Sequence, residues 1–172
     1  MGTELNRDTQ VAVSALRTRL PWLDPGTAEL LVALAEELAR AHPRVVALVL
    51  FGSLSRHEER PLGAPHPSDL DLLVLVEPSS GPPRTRLRLE DKLALYHTIG
   101  EREYLHRRSA LRVQAVLAEH DLADWDAGFV ANVAHDGVLL WVRGTLPEAL
   151  APVVARGAVL APLSAGRETD SV

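Results

Sequence analysis

Cysteine is absent from the 172-residue chain. That absence excludes disulfides, thiolate metal ligands and cysteine nucleophiles. Aromatic residues are few, with three Trp, two Tyr and two Phe. Trp22, Trp125 and Trp141 sit within apolar patterns, so they are expected in the core rather than as base-stacking platforms. Lysine occurs once, at Lys92, and arginine carries nearly all the positive charge, a bias of composition to which no function attaches. A basic surplus is missing as well: 18 Lys and Arg face 23 Asp and Glu, for a formal net charge of −5. This counts against a nucleic-acid-binding protein. Long hydrophobic runs are also lacking. The apolar stretch Val45–Phe51 falls far short of the ~20 residues needed to span a bilayer. Met1 to Gln10 is polar and contains no signal-peptide core. A cytoplasmic protein without membrane association is expected.

Hydrophobic residues make up 47% of the chain, enough to drive folding, and the length suits one domain. A helix is predicted from about Thr9 to Leu20, stopping at Pro21. Asp24-Pro25 suits the start of a second, as an N-cap followed by proline in the first turn. Leu30, Leu31, Leu34 and Leu38 give that helix one apolar face, and His42-Pro43 ends it. Arg44 to Phe51 reads as a buried strand, Glu58 to Pro67 as a surface loop, and Asp69 to Val76 as a second strand. After a turn-rich connection at Pro78–Pro83, a helix is expected from near Thr85. Its inward residues would be Leu89, Leu93 and Tyr96, with a break at Gly100. Leu111–Leu117 is predicted as a third strand. Leu122, Trp125, Phe129 and Val133 mark a helix face capped by Gly137, and Val138–Val142 a last strand. Thr145-Leu146-Pro147 opens a short helix that Gly157 ends. The expected class is α/β (α+β), a mixed sheet with helices packed on it. One domain would span residues 1–163, with helices in 1–43, a core in 44–142 and a C-terminal helix in 143–163. A flexible tail would follow in 164–172.

The most informative stretch is Phe51-Gly52-Ser53-Leu54-Ser55-Arg56 together with Ser68-Asp69-Leu70-Asp71-Leu72. A glycine-serine turn directly after a strand can hold phosphate: Gly52 permits a sharp turn, and Ser53 with the following amides can donate to oxygen. Arg56 could add a charge-assisted contact. Asp69 and Asp71, two apart on a strand, point to one face with Cα atoms ~6.6 Å apart. Magnesium needs only one or two such carboxylates when phosphates and water complete its shell. Taken singly, each piece has a plain structural reading, as a turn, a strand cap or a surface arginine. Histidines 42, 57, 66, 97, 106, 120 and 135 show no zinc spacing, although His57 and His66 lie near the motif. Arg84, Arg88 and Lys92 could form a basic stripe, which is usually a solvated helix face.

The order strand, Gly-Ser, spacer, Asp-x-Asp, strand resembles the nucleotidyltransferase superfamily that includes DNA polymerase beta, and most closely its minimal bacterial members. Asn132 to Trp141 looks like their closing helix-to-strand segment. The resemblance implies a palm-like fold and metal-dependent transfer of a nucleoside monophosphate from a nucleoside triphosphate, ATP above all. The acceptor would be a protein or small molecule. Gly52, Ser53 and Arg56 would bind nucleotide, and Asp69 and Asp71 would be catalytic and hold Mg2+ or Mn2+. It also implies a separately encoded helical partner of the HEPN type, with an antitoxin role, and allows a homo-oligomer. Two departures stand out. Fifteen residues separate Ser53 from Asp69, a longer spacer than the small family members have, and His57 stands where glycine usually follows the motif arginine. The third carboxylate of the family falls at Gln114, which carries no charge and cannot act as a base. Arg112 would share its face and repel a cation. Glu119 or Asp121 could substitute only if the chain bent back. A nucleotide-binding module that regulates a partner by contact is therefore the alternative.

Overall fold

The computed structural model describes residues 6–77, 87–119, 122 and 125–160. Helix α1 (Arg7–Arg19) begins where the Asn6 side chain accepts the Thr9 amide at 2.9 Å. Helix α2 (Pro25–Ala41) begins at Asp24, whose carboxylate takes both the amide and the hydroxyl of Thr27, at 2.9 and 2.7 Å. Each cap satisfies amides that the first helical turn leaves unpaired. Thr27 is fully buried, and its hydroxyl also accepts the Leu111 amide at 3.2 Å. It thereby ties the start of α2 to the chain entering the sheet.

Four strands follow: β1 (Val45–Phe51), β2 (Leu70–Val76), β3 (Val113–Glu119) and β4 (Val138–Val142). Their order is β3-β2-β1-β4, with β2 and β3 parallel and the other pairs antiparallel. Helices α3 (Leu89–Leu105), α4 (Ala127–Asp136) and α5 (Ala151–Ala155) complete the fold, with a 3-10 turn at Glu148–Leu150 before α5. The expected mixed sheet with helical cover is what the chain forms. Both faces of the sheet are buried. Leu48, Leu50, Leu70, Leu72 and Val74 meet the leucines of α1 and α2. Val46, Val49, Leu73 and Leu75 meet Val133, Ala134, Leu150 and Val153. This is why β1 reads as a continuous apolar run rather than an alternating one.

Several expectations need correction. The third strand begins two residues later than predicted and runs on to Glu119. Helix α3 passes through Gly100 without a break. Leu89, Leu93 and Tyr96 are not its inward face: they are 70%, 59% and 48% exposed, and Leu95 and Ile99 are buried instead. Leu122 and Trp125 precede α4 rather than lying on it. Gly137 does cap α4, but at φ −64, so the left-handed conformation is not its reason. A Cβ there would collide with the Val133 carbonyl and lie 2.9 Å from Val49. Trp141 is fully buried, as expected of a core residue, whereas Trp125 is only partly buried, its ring centre 5.4 Å from that of Phe129. Trp22 is only partly buried. The turn at Pro78–Pro83, the helix start near Thr85, Arg84, His120, Asp121 and the 164–172 tail lie outside the described residues.

Candidate functional site

The end of β1, the start of β2 and the start of β3 meet at one edge of the sheet. The register pairs Phe51 with Asp71 across β1–β2, and Asp71 with Gln114 across β2–β3. Gly52 follows β1 directly and adopts φ +79. A Cβ on it would collide with the Asp71 carboxylate. The glycine is thus required by its own protein's aspartate, in addition to any approach by a ligand.

Asp69 is exposed, one residue before β2, and Asp71 is half-buried on the strand. Strand alternation sets Asp71 on the face of Leu73 and Leu75, away from Leu70 and Leu72. Burial, reinforced by the charge of Asp69, pushes the Asp71 carboxyl above its ordinary value, and Arg56 offsets part of that rise. Among the described residues, no group donates a hydrogen bond to either carboxylate. Gln114 is exposed beside Asp71 and is likewise unpaired.

The Gly-Ser segment closes on itself instead of opening a helix. The Gly52 carbonyl accepts the Ser55 amide at 3.2 Å and its hydroxyl at 2.8 Å. The Ser53 carbonyl accepts the amides of Arg56 and Glu58, at 3.2 and 2.8 Å. Leu54 is buried beneath the turn, and its carbonyl takes the Trp22 indole N–H at 2.7 Å. The Ser53 and Leu54 amides donate to no protein group among the described residues and stay free for an acceptor. His57 then takes φ +57, the left-handed conformation glycine would favour, and its ring stacks on Trp22 at 4.7 Å and 8°.

Arg56 does not reach out unpaired. Its Nε donates to Glu58 at 3.0 Å, and its Nη1 lies 3.6 Å from Asp136 at the end of α4. Glu58 leads the influences that hold it protonated. The second oxygen of Asp136 lies 2.7 Å from Nδ1 of His135. Asp136, Glu58 and the Trp22–His57 stack were not identified from sequence as parts of this neighbourhood. Asp136 lies just before Gly137 in the closing segment, but nothing local signals its pairing with an arginine in another loop.

Of the two residues considered as substitutes for a third carboxylate, Glu119 is not placed to help, and Asp121 lies outside the described residues. Glu119 is the last residue of β3, paired with Val76, and its Oε1 accepts the Leu87 amide at 2.9 Å. It lies roughly 16 Å along the strand from Gln114, on the opposite face. Arg112 precedes β3 rather than lying on it, and its carbonyl accepts the Leu70 amide at 2.7 Å. Among the described residues, no group of three His, Cys, Asp or Glu side chains could hold a metal ion. His66 stands in the 58–67 loop, where Arg60 Nε donates to its carbonyl at 2.5 Å. The neck of that loop is closed by two hydrogen bonds between Arg60 and Ser68, at 2.8 and 3.0 Å.

No helix among the described residues is long and apolar enough to cross a membrane. No family model matches the chain. No curated protein matches it either. Among solved structures it is similar to a Sulfolobus solfataricus protein provisionally described as a nucleotidyltransferase. The two are 18% identical, over 83% of this chain and 94% of that one, with a TM-score of 0.43. A TM-score that low carries no weight for the function of this chain.

Proposed function

We propose that the chain binds a metal–nucleotide complex and transfers a nucleoside monophosphate from a nucleoside triphosphate, ATP foremost, to a protein or small-molecule acceptor. The observation that carries this reading is Asp71: a half-buried carboxylate with no donor among the described residues, beside a second carboxylate and a turn with free amides. An unpaired, partly desolvated charge is costly unless a cation meets it. Mg2+ or Mn2+ fits an all-oxygen pair of this kind. Asp69 and Asp71 would hold the ion, which would neutralise charge on the phosphates. The Ser53 and Leu54 amides and the Ser53 hydroxyl donate to phosphate oxygen. Arg56 contributes positive charge near Asp71, its direct contacts being taken by Glu58 and Asp136.

Where the acceptor is a protein, the family resemblance points to a helical partner of the HEPN type, with the chain as its antitoxin. A second reading is favoured by the pairing of Asp71 with Gln114. With glutamine in the third position and Glu119 at the far end of the strand, β3 brings no base to the site among the described residues. The chain would then bind Mg-nucleotide and regulate its partner by contact. Labelled-nucleotide transfer by native protein and by Gln114→Asp, with the same acceptor, separates the two. General-base assistance contributes ~10²–10⁴-fold, so the transferase reading expects slow native transfer that Gln114→Asp accelerates. Transfer by neither protein, with nucleotide and partner still bound, selects the contact reading.

A further inference from the structure

Helix α3 is apolar twice over. Leu95 and Ile99 face the core. On the other side, Leu89, Leu93, Tyr96, Gly100 and Tyr104 recur at intervals of four, three, four and four, the spacing of a helix–helix seam. Leu89, Leu93, Tyr96 and Tyr104 are all exposed, Tyr104 by 62%. A Cβ on Gly100 would meet nothing within 4 Å. The glycine forms the floor of an open groove of about 570 Å³ walled by His97, Glu101, Tyr104 and Leu105.

We propose that this stripe is a docking surface for a second copy of the chain, with the two α3 helices antiparallel. The stripe is self-complementary about a point between Tyr96 and His97. Reversing the helix there sets Leu93 over the Gly100 notch of the second copy, and Leu89 beside its Tyr104. Each contact then occurs twice, as two-fold symmetry requires. The Arg107 guanidinium lies 4.0 Å above the Tyr104 ring. The helix dipoles also oppose one another in this arrangement. The exposed side chains of the stripe offer roughly 500 Å² per copy. Two copies thus bury about 1,000 Å², near the lower bound of specific interfaces. The dimer is therefore reversible and concentration-dependent.

The test exploits the missing cysteines. In sedimentation velocity, native protein should shift from the 18.7 kDa monomer towards twice that mass as concentration rises. Leu93→Glu, a surface change that leaves the far-ultraviolet dichroism intact, should stay monomeric. Under mild oxidation, Tyr96→Cys should form an intermolecular disulfide, because the two copies of this position lie next to the symmetry axis. Leu89→Cys should not, because its copies are about 22 Å apart along the seam. A native monomer at all concentrations overturns the proposal, as does a dimer that Leu93→Glu leaves intact. Disulfides at both positions, or at neither, overturn the antiparallel register.

Discussion

A side chain at position 52 and the carboxylate of Asp71 would compete for the same space. Gly52→Ala therefore meets two penalties, a left-handed backbone at φ +79 and a collision with Asp71. The backbone term alone is about 1–2 kcal/mol. Denaturant unfolding should show more than that loss, together with weaker nucleotide binding, whereas a glycine facing phosphate alone would lose only the backbone term and binding. Asp71 carries the opposite expectation. Its charge is disfavoured by burial and by Asp69, so Asp71→Asn should unfold at higher denaturant than native protein in metal-free buffer. If Asp71→Asn is instead less stable there, the carboxylate has a protein partner and the reading of an unpaired charge fails. Such a trade of stability for a charged site is common where residues serve function.

At the scale of elements, two contacts decide how the helices hold the sheet. Arg143, just past β4, donates to the carbonyls of Ala39, His42 and Val45, at 3.1, 2.6 and 2.7 Å. It thereby caps the end of α2 and fastens it to β1. Arg143→Ala removes a donor from three carbonyls, of which His42 keeps the Val45 amide at 3.0 Å, and should cost about 2–3 kcal/mol, with Arg143→Lys recovering part, as unfolding midpoints will report. Glu37 joins α2 to α3 through Arg102 at 3.1 Å, and also holds Arg40 at 2.6 Å. The Arg40 hydrogen bond leads in drawing the Glu37 carboxyl below its ordinary value, against the opposing effect of burial. Its folded-state pKa is thus the lower one. The stabilisation is present above the ordinary carboxylate range and disappears as pH falls through the lowered value. Glu37→Gln should be less stable than native protein at neutral pH and match it in acid; an equal deficit at every pH would assign Glu37 a packing role only. The faces of α3 were not legible in its sequence, because Leu95/Ile99 and Leu89/Leu93/Tyr96 have the same helical spacing. Which stripe turns inward is set by the sheet and by α2, not by the pattern. The start of β3 was misplaced for a related reason. Leu111 is buried and apolar like a strand residue, yet its amide goes to Thr27 rather than to β2.

At the scale of the whole molecule, the sheet and the place of Asp71 were readable because they rest on short-range rules, alternation along a strand and a glycine turn after a buried run, whereas Asp69 lies one residue before β2 and not on it. Gln114 was singled out by the family resemblance alone, and parallel pairing sets it beside Asp71 even though the strand limits moved. What surrounds the motif was not readable. The Arg56–Asp136 pair and the Trp22–His57 stack join segments far apart in the chain, and no local pattern encodes them. The central claim is that these elements assemble one metal–nucleotide site. Calorimetric titration of the native protein with ATP, with and without Mg2+, tests it most directly when repeated on Asp69→Asn and Asp71→Asn. The account predicts binding that requires the metal and that weakens by about tenfold or more in each folded variant. Affinity that is indifferent to Mg2+, or equal in native protein and variants, would contradict it.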